Sequence, residues 1–149
     1  MNKTINQTKL YVLSHIFNEI VDLFTSKKLP NKILLSGSKG SGKATLAYHF
    51  INYVFSINEE NSYNIKTNEI NLENNSFKLI KNGSHPNFHL IDLIEDKKNI
   101  EISQIRNMIN YANKSSFNNE ARFVLIDNVE FLNINSSNAL LKIIEEPNE

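Results

Sequence analysis

Lys32-Ile33-Leu34-Leu35-Ser36-Gly37-Ser38-Lys39-Gly40-Ser41-Gly42-Lys43-Ala44-Thr45 is the stretch on which the reading of this chain turns. Residues 32–35 make a short apolar run bounded by Pro30 and Gly37, which predicts a strand buried on both faces. Ser36 to Gly42 is rich in glycine, and Lys43 to about Phe55 reads as an apolar helix. Strand, glycine loop and helix in that order suit phosphate binding. The glycines let successive backbone N–H groups turn toward phosphate oxygens, the helix N-terminus adds partial positive charge, and a lysine reaches the outer phosphates. The candidate binding residues are Gly37, Gly40, Ser41, Gly42, Lys43, Ala44 and Thr45. The strict pattern asks for Ser or Thr straight after the lysine, as a ligand for Mg²⁺. Ala44 stands there and Thr45 comes one residue late, so phosphate cradling is expected to survive and Mg²⁺ placement to suffer. A plain Gly/Ser-rich connection is the competing reading. The correct spacing of Gly37, Gly42 and Lys43 weighs against it.

Upstream, Leu10, Leu13, Phe17, Ile20 and Phe24 recur at helical steps and predict an amphipathic helix over 8–28, ended by Pro30. Downstream, the polar, Asn-rich stretch from Ile57 to Gly83 has weak periodicity. It reads as a solvated surface insertion with at most a short helix. Phe88 to Leu93 predicts a strand, and Ile102, Ile105, Met108, Ile109 and Ala112 predict a helix. Arg122 to Ile126 predicts a further buried strand. Ser136 to Glu146 predicts a last helix with Leu140, Leu141 and Ile144 as core, stopped by Pro147. Alternating strands and helices give an α/β domain with a largely parallel sheet.

The strand over 122–126 ends in Asp127, the second candidate site. In nucleotide hydrolases of this build such a carboxylate contacts the Mg²⁺ shell, and an adjacent Glu activates the attacking water. Here the adjacent residue is Asn128, whose amide can orient a water but cannot take its proton. No catalytic residue is therefore assigned. His85 and His89 do not read as a metal pair, because Pro86 and the strand pattern spoil helical facing. Arg106 reads as a solvated charge, with a subunit contact as the alternative.

Composition narrows the classes further. The chain has 149 residues, with 16 Lys+Arg against 16 Asp+Glu and no cysteine. Disulfides, Cys-ligated zinc, iron–sulfur clusters and thiol nucleophiles are excluded. No apolar run approaches the roughly 18–20 residues of a membrane span, and the N-terminus lacks a signal-peptide core. A soluble, cytoplasmic protein is expected. The 25 Asn and the 14 Lys against 2 Arg fit an AT-rich coding sequence rather than an adhesive function.

Four pieces in register resemble bacterial clamp-loader subunits of DNA polymerase III, of the AAA+ class. They are Leu29 to Gly37 running into Gly42-Lys43-Ala44-Thr45-Leu46-Ala47, then Gly83-Ser84-His85-Pro86-Asn87, then Ile102-Ser103-Gln104-Ile105-Arg106, and finally Asn138-Ala139-Leu140-Leu141-Lys142-Ile143-Ile144-Glu145-Glu146-Pro147. The resemblance covers about residues 8–147. Ala44 after the lysine and Asn128 after Asp127 resemble the delta-prime type more than the ATP-hydrolysing tau/gamma type. The zinc module that many relatives insert before the His-Pro element is missing here, and its gap holds the Asn-rich stretch over 57–83.

The resemblance implies a P-loop AAA+ sheet flanked by helices and incomplete at the C-terminus, forming one partial nucleotide-binding domain over 1–149. The sensor-1 strand, the Ser-Arg-Cys motif, the lid and the collar domain are missing, so the chain is expected to be a fragment. The implied role is a scaffold or stator in a hetero-pentamer that loads the sliding clamp on primed DNA, as part of the polymerase III holoenzyme. Its partners would be the other clamp-loader subunits, with the clamp and DNA reached through the assembly and no membrane. ATP or ADP is the implied nucleotide, with impaired Mg²⁺ placement, weak or absent turnover, and no zinc. A tau/gamma-type ATPase motor is the first alternative. An unrelated P-loop enzyme, such as a small kinase, is the second.

Overall fold

Residues 8–10, expected to open the first helix, are committed elsewhere. The Leu10 N–H donates to the Asn68 carbonyl at 3.0 Å, and the Ile70 N–H donates to the Thr8 carbonyl at 2.8 Å. A backbone bonded across to residues 68–70 cannot also wind into a helix, so α1 spans Ser14–Thr25 and starts after Leu13, whose φ of 66° is left-handed. Phe17 and Val21 are its buried residues. The helix ends before Pro30 is reached: Lys27 turns left-handed at φ 59°, and the Lys28 N–H donates to the Leu23 carbonyl at 2.8 Å. That 6→1 closure satisfies an end carbonyl and stops the helix.

The computed structural model describes residues 4–145 and divides between His85 and Pro86 into two compact units. In the first unit α1 packs on α2 (Lys43–Ser56), and α2 packs on α3 (Asn75–Lys81). Phe17 meets the rings of Tyr53 and Tyr63, with centroids 6.2 and 5.2 Å away. Burying each such aromatic stabilises the unit by roughly 1.5–3 kcal/mol before entropy is counted.

The segment expected to be solvated supplies part of this core. Tyr63, Ile70, Phe77 and Ile80 are all buried. Its polarity misled because asparagine side chains carry its backbone bonds, Asn64 and Asn71 from exposed positions and Asn74 from a buried one. Asn74 caps α3 by accepting from the Phe77 N–H at 2.7 Å, accepts from Asn52 Nδ2 at 3.0 Å, and donates to the Asn61 carbonyl at 3.0 Å. Codon bias accounts for the abundance of asparagine, but at position 74 the residue is structural.

Residues 33–38 hold no regular structure, so the strand expected over 32–35 is not formed. Ile33 is 50% and Leu34 80% exposed. An apolar run expresses a tendency to be buried, but a strand also needs a neighbour to take its backbone bonds.

The second unit is a strand–helix–strand crossover. β1 (Phe88–Ile91) and β2 (Phe123–Ile126) pair in parallel, with Phe88 opposite Phe123 and Ile91 opposite Ile126. Between them runs α4 (Ile102–Ala112), and α5 (Ile134–Glu145) follows. The mixed α/β class with parallel pairing is thus observed as a two-stranded sheet among the described residues. Ile91, Ile100, Ile105 and Met108 form its core, with Val124, Ile126, Ala139, Leu140 and Ile143 packed against them. The inward stripe of α5 is Ser136, Ala139, Leu140 and Ile143. Leu141 and Ile144, expected in the core, are 48% and 46% exposed. They lie on the neighbouring face, which periodicity alone does not orient. Glu146 and Pro147, expected to end this helix, lie outside the described residues. Among those described, no helix is long and apolar enough to cross a membrane.

Candidate functional site

The glycine loop is built in the first unit. Gly40 (φ 80°) and Gly42 (φ 88°) are both left-handed, a backbone that L side chains rarely adopt. At Gly37 (φ 156°) the backbone angle is one that L side chains rarely adopt, and a Cβ would come within 3.3 Å of Ser41 Oγ, which would have to shift slightly. Lys43 is the first residue of α2, and its ammonium folds back over the loop. It donates to the Gly37 carbonyl at 2.9 Å, the Ser38 carbonyl at 2.8 Å and Ser41 Oγ at 3.5 Å. No side chain caps the start of α2 at Gly42. Helix N–H donors and a positive charge therefore sit together at the loop, the arrangement that receives an anion.

Beside the loop lies a cleft of about 210 Å³. One wall is Gly40, Ser41, Gly42 and Thr45; the other is Gln7 and residues 9–12. Tyr11 is 73% exposed, and the Lys9 ammonium stands 5.7 Å from its ring centre. Chemically the cleft joins the glycine loop to an open aromatic ring and an apolar neighbour, Val12. Its volume lies below the roughly 300–1,000 Å³ of sites that engulf a drug-sized ligand, so it has room for only part of a ligand of that size. The wall over 7–12 escaped sequence reading. Only the pairing with residues 68–70 brings it to the loop.

A buried histidine braces that wall. His49, fully buried on α2, places Nε2 3.0 Å from the Gln7 carbonyl and Nδ1 2.8 Å from the Tyr63 hydroxyl. A carbonyl only accepts, so Nε2 carries the proton and Nδ1 accepts from the Tyr63 O–H. Burial pushes the His49 imidazole down to about 4, the bond to the Gln7 carbonyl opposing it in part. The neutral ring belongs to the folded state, whereas the unfolded ring takes up its proton near its ordinary value of 6.5. Its contribution is complete above about pH 6.5 and is lost as pH falls toward 4. Acidification from pH 7.5 to 5 is therefore expected to destabilise the first unit by about 2 kcal/mol. Urea unfolding followed by tyrosine fluorescence at the two pH values measures this, and a flat profile would contradict it.

Asp127 belongs to the second unit, at the carboxyl end of β2. Its N–H donates to the Ile91 carbonyl at 2.9 Å, and its Oδ1 accepts from the Asn128 N–H at 2.9 Å. Sequence reasoning missed its neighbour, Asp92. Phe88-His89-Leu90-Ile91-Asp92 and Phe123-Val124-Leu125-Ile126-Asp127 repeat one pattern, and the register sets them side by side. Two carboxylates thus follow adjacent strand ends. The Asn128 amide donates to Asp92 Oδ1 at 2.7 Å and ties those ends together. The place where a Glu would take a proton from water is occupied by a group that instead donates to a carboxylate. Arg122 is also structural, its Nη1 donating to the Tyr111, Ala112 and Lys114 carbonyls at the end of α4. Arg106 is exposed. Among the described residues no three His, Asp or Glu side chains are grouped to hold a metal ion.

The sequence model of the family described as "DNA polymerase III, delta subunit" matches residues 12–149. The chain is 25% identical over 147 residues to the DNA polymerase III subunit delta' of Bacillus subtilis, covering 99% of this chain and 41% of that protein. It is 31% identical over 135 residues to the DNA polymerase III subunit tau of the same organism, covering 91% of this chain and 22% of that protein. Similarity to the DNA polymerase III subunit delta' of Pseudomonas aeruginosa is 31% over 70 residues, covering 47% of this chain and 21% of that protein. The chain spans less than half the length of each of these relatives.

Proposed function

The chain belongs to the DNA polymerase III delta-subunit family, and from that membership we propose that it acts in replication as a delta-prime-type clamp-loader subunit, a scaffold that binds nucleotide without turning it over. One observation carries the choice within the family. The loop geometry around Lys43 is well formed, while the two positions that would complete hydrolysis hold Ala44 and Asn128. The backbone of 37–45 and the Lys43 ammonium would hold the phosphates of ATP or ADP, and the ring of Tyr11 would face the base. Mg²⁺, when bound, screens phosphate charge and polarises the outer phosphoryl group. Ala44 offers it no ligand, and Asn128 directs its amide hydrogens at Asp92. In this reading the subunit's work lies in its contacts with other clamp-loader subunits, and the sliding clamp and primed DNA are reached through them.

The 31% identity to the tau subunit favours one second reading, an ATP-hydrolysing motor. Phosphate release separates the two. The full chain assayed with ATP and Mg²⁺ is expected to release phosphate at the no-enzyme rate. Robust turnover that collapses in Lys43→Ala would establish the motor reading instead.

A further inference from the structure

The stretch over 57–83 is bound to the cleft wall at several independent points. Residues 64 and 69 close a tight antiparallel turn, with N–H to carbonyl bonds of 2.9 and 3.1 Å. Its outer side takes residues 8–10 through the Leu10–Asn68 and Thr8–Ile70 backbone bonds. Lys9 Nζ and Glu69 Oε1 lie 2.9 Å apart across this pairing. Tyr63 is anchored to α2 by its N–H, which donates to Ser56 Oγ at 3.0 Å, and its hydroxyl reaches the Gln7 carbonyl through His49. The wall has no other regular structure over residues 9–12. Its position over the glycine loop is thus set by partners about 40 to 60 residues away in the sequence, most of them in the Asn-rich stretch.

We propose that the segment over 57–83 is a positioning element for the ligand: through the turn at 64–69 and the Tyr63–His49 pair it holds residues 7–12 as the wall that meets the base end of a nucleotide. This rests on the nucleotide reading of the cleft. No residue of 57–83 lines the cleft itself. The segment's effect is to keep the wall in a binding geometry before ligand arrives, which lowers the ordering that binding must otherwise impose.

Calorimetry on the full chain, with ATP and with inorganic tripolyphosphate, tests this beside hydrogen exchange at the Leu10 and Ile70 amides. Tyr63→Phe keeps the ring packed on Phe17 and deletes one hydroxyl. It is expected to weaken ATP binding about 3- to 10-fold, as loss of a single neutral hydrogen bond does. Glu69→Gln removes an exposed ion pair and is expected to cost up to about 3-fold. Tripolyphosphate affinity should be unchanged in both variants, and the two amides should exchange faster. Lys43→Ala should weaken both ligands. ATP affinity and exchange that stay at wild-type values in Tyr63→Phe would overturn the inference, as would equal losses for ATP and tripolyphosphate. Wild-type chain that binds neither ligand at millimolar concentration removes the nucleotide reading, and this inference with it.

Discussion

Replacing Lys43 by Ala is expected to weaken ATP binding to the full chain by roughly 10- to 100-fold, the range of one or two charge-assisted hydrogen bonds to phosphate. The ammonium already sits over the loop, bonded to the Gly37 and Ser38 carbonyls at 2.9 and 2.8 Å. A phosphate entering between the loop amides and the start of α2 would exchange those neutral carbonyl partners for anionic oxygens, at little cost in side-chain ordering. Substitution by Ala leaves the backbone donors and the helix end in place, so residual binding is expected rather than none. The fold should be unaffected, since this side chain is not part of the core. Calorimetry gives the affinity, and the urea midpoint gives the control. An unchanged dissociation constant would separate the loop from ligand binding and leave it a structural connection.

Asn74→Ala is expected to destabilise the first unit by roughly 3–5 kcal/mol, a large effect for the loss of one polar side chain. Asn74 is fully buried and serves three partners: the Phe77 N–H, the Asn52 amide and the Asn61 carbonyl. Alanine removes the cap of α3 and leaves those groups in a place that water does not readily reach. Asn18→Ala, on the exposed side of α1 in the same unit, is the matched control and should stay within about 0.5 kcal/mol of wild type. Four of the five tyrosines lie in the first unit, so tyrosine fluorescence during urea unfolding reports mainly on that unit. A cost below about 1 kcal/mol at Asn74 would return its buried network to the status of incidental polarity.

The candidate site was partly legible in sequence because its features are local. Gly37, Gly42 and Lys43 act within seven residues of one another, and α2 begins at Lys43 as the pattern required. β2 was legible for a similar reason, as a run of four apolar residues closed by an acid. The failures share a different cause. The run at 32–35 has a strand's composition and lacks a strand's partner. Residues 8–10 look helical and are held by a pairing with residues 68–70. The α5 residues 141 and 144 are apolar but face away from Ile105 and Met108, a matter of rotation that an apolar sequence leaves open.

Sequence alone determined the glycine loop and its lysine, the Ala44 and Asn128 departures, the absence of cysteine, and the family to which these motifs point. Each depends on residue identity and short spacing, which chain chemistry expresses without reference to distant parts. Tertiary structure alone decided that Asn74 is a linchpin while Asn18 is solvated. It also decided that His49 is neutral and bonded to a carbonyl 42 positions away, and that Asn128 binds an aspartate 36 positions away. A hydrogen-bonding side chain carries no mark of its partner in its own sequence neighbourhood. At Asn74 and His49, packing that excludes water makes the partner obligatory, whereas exposed Asn128 meets Asp92 because the parallel register sets two strand ends side by side.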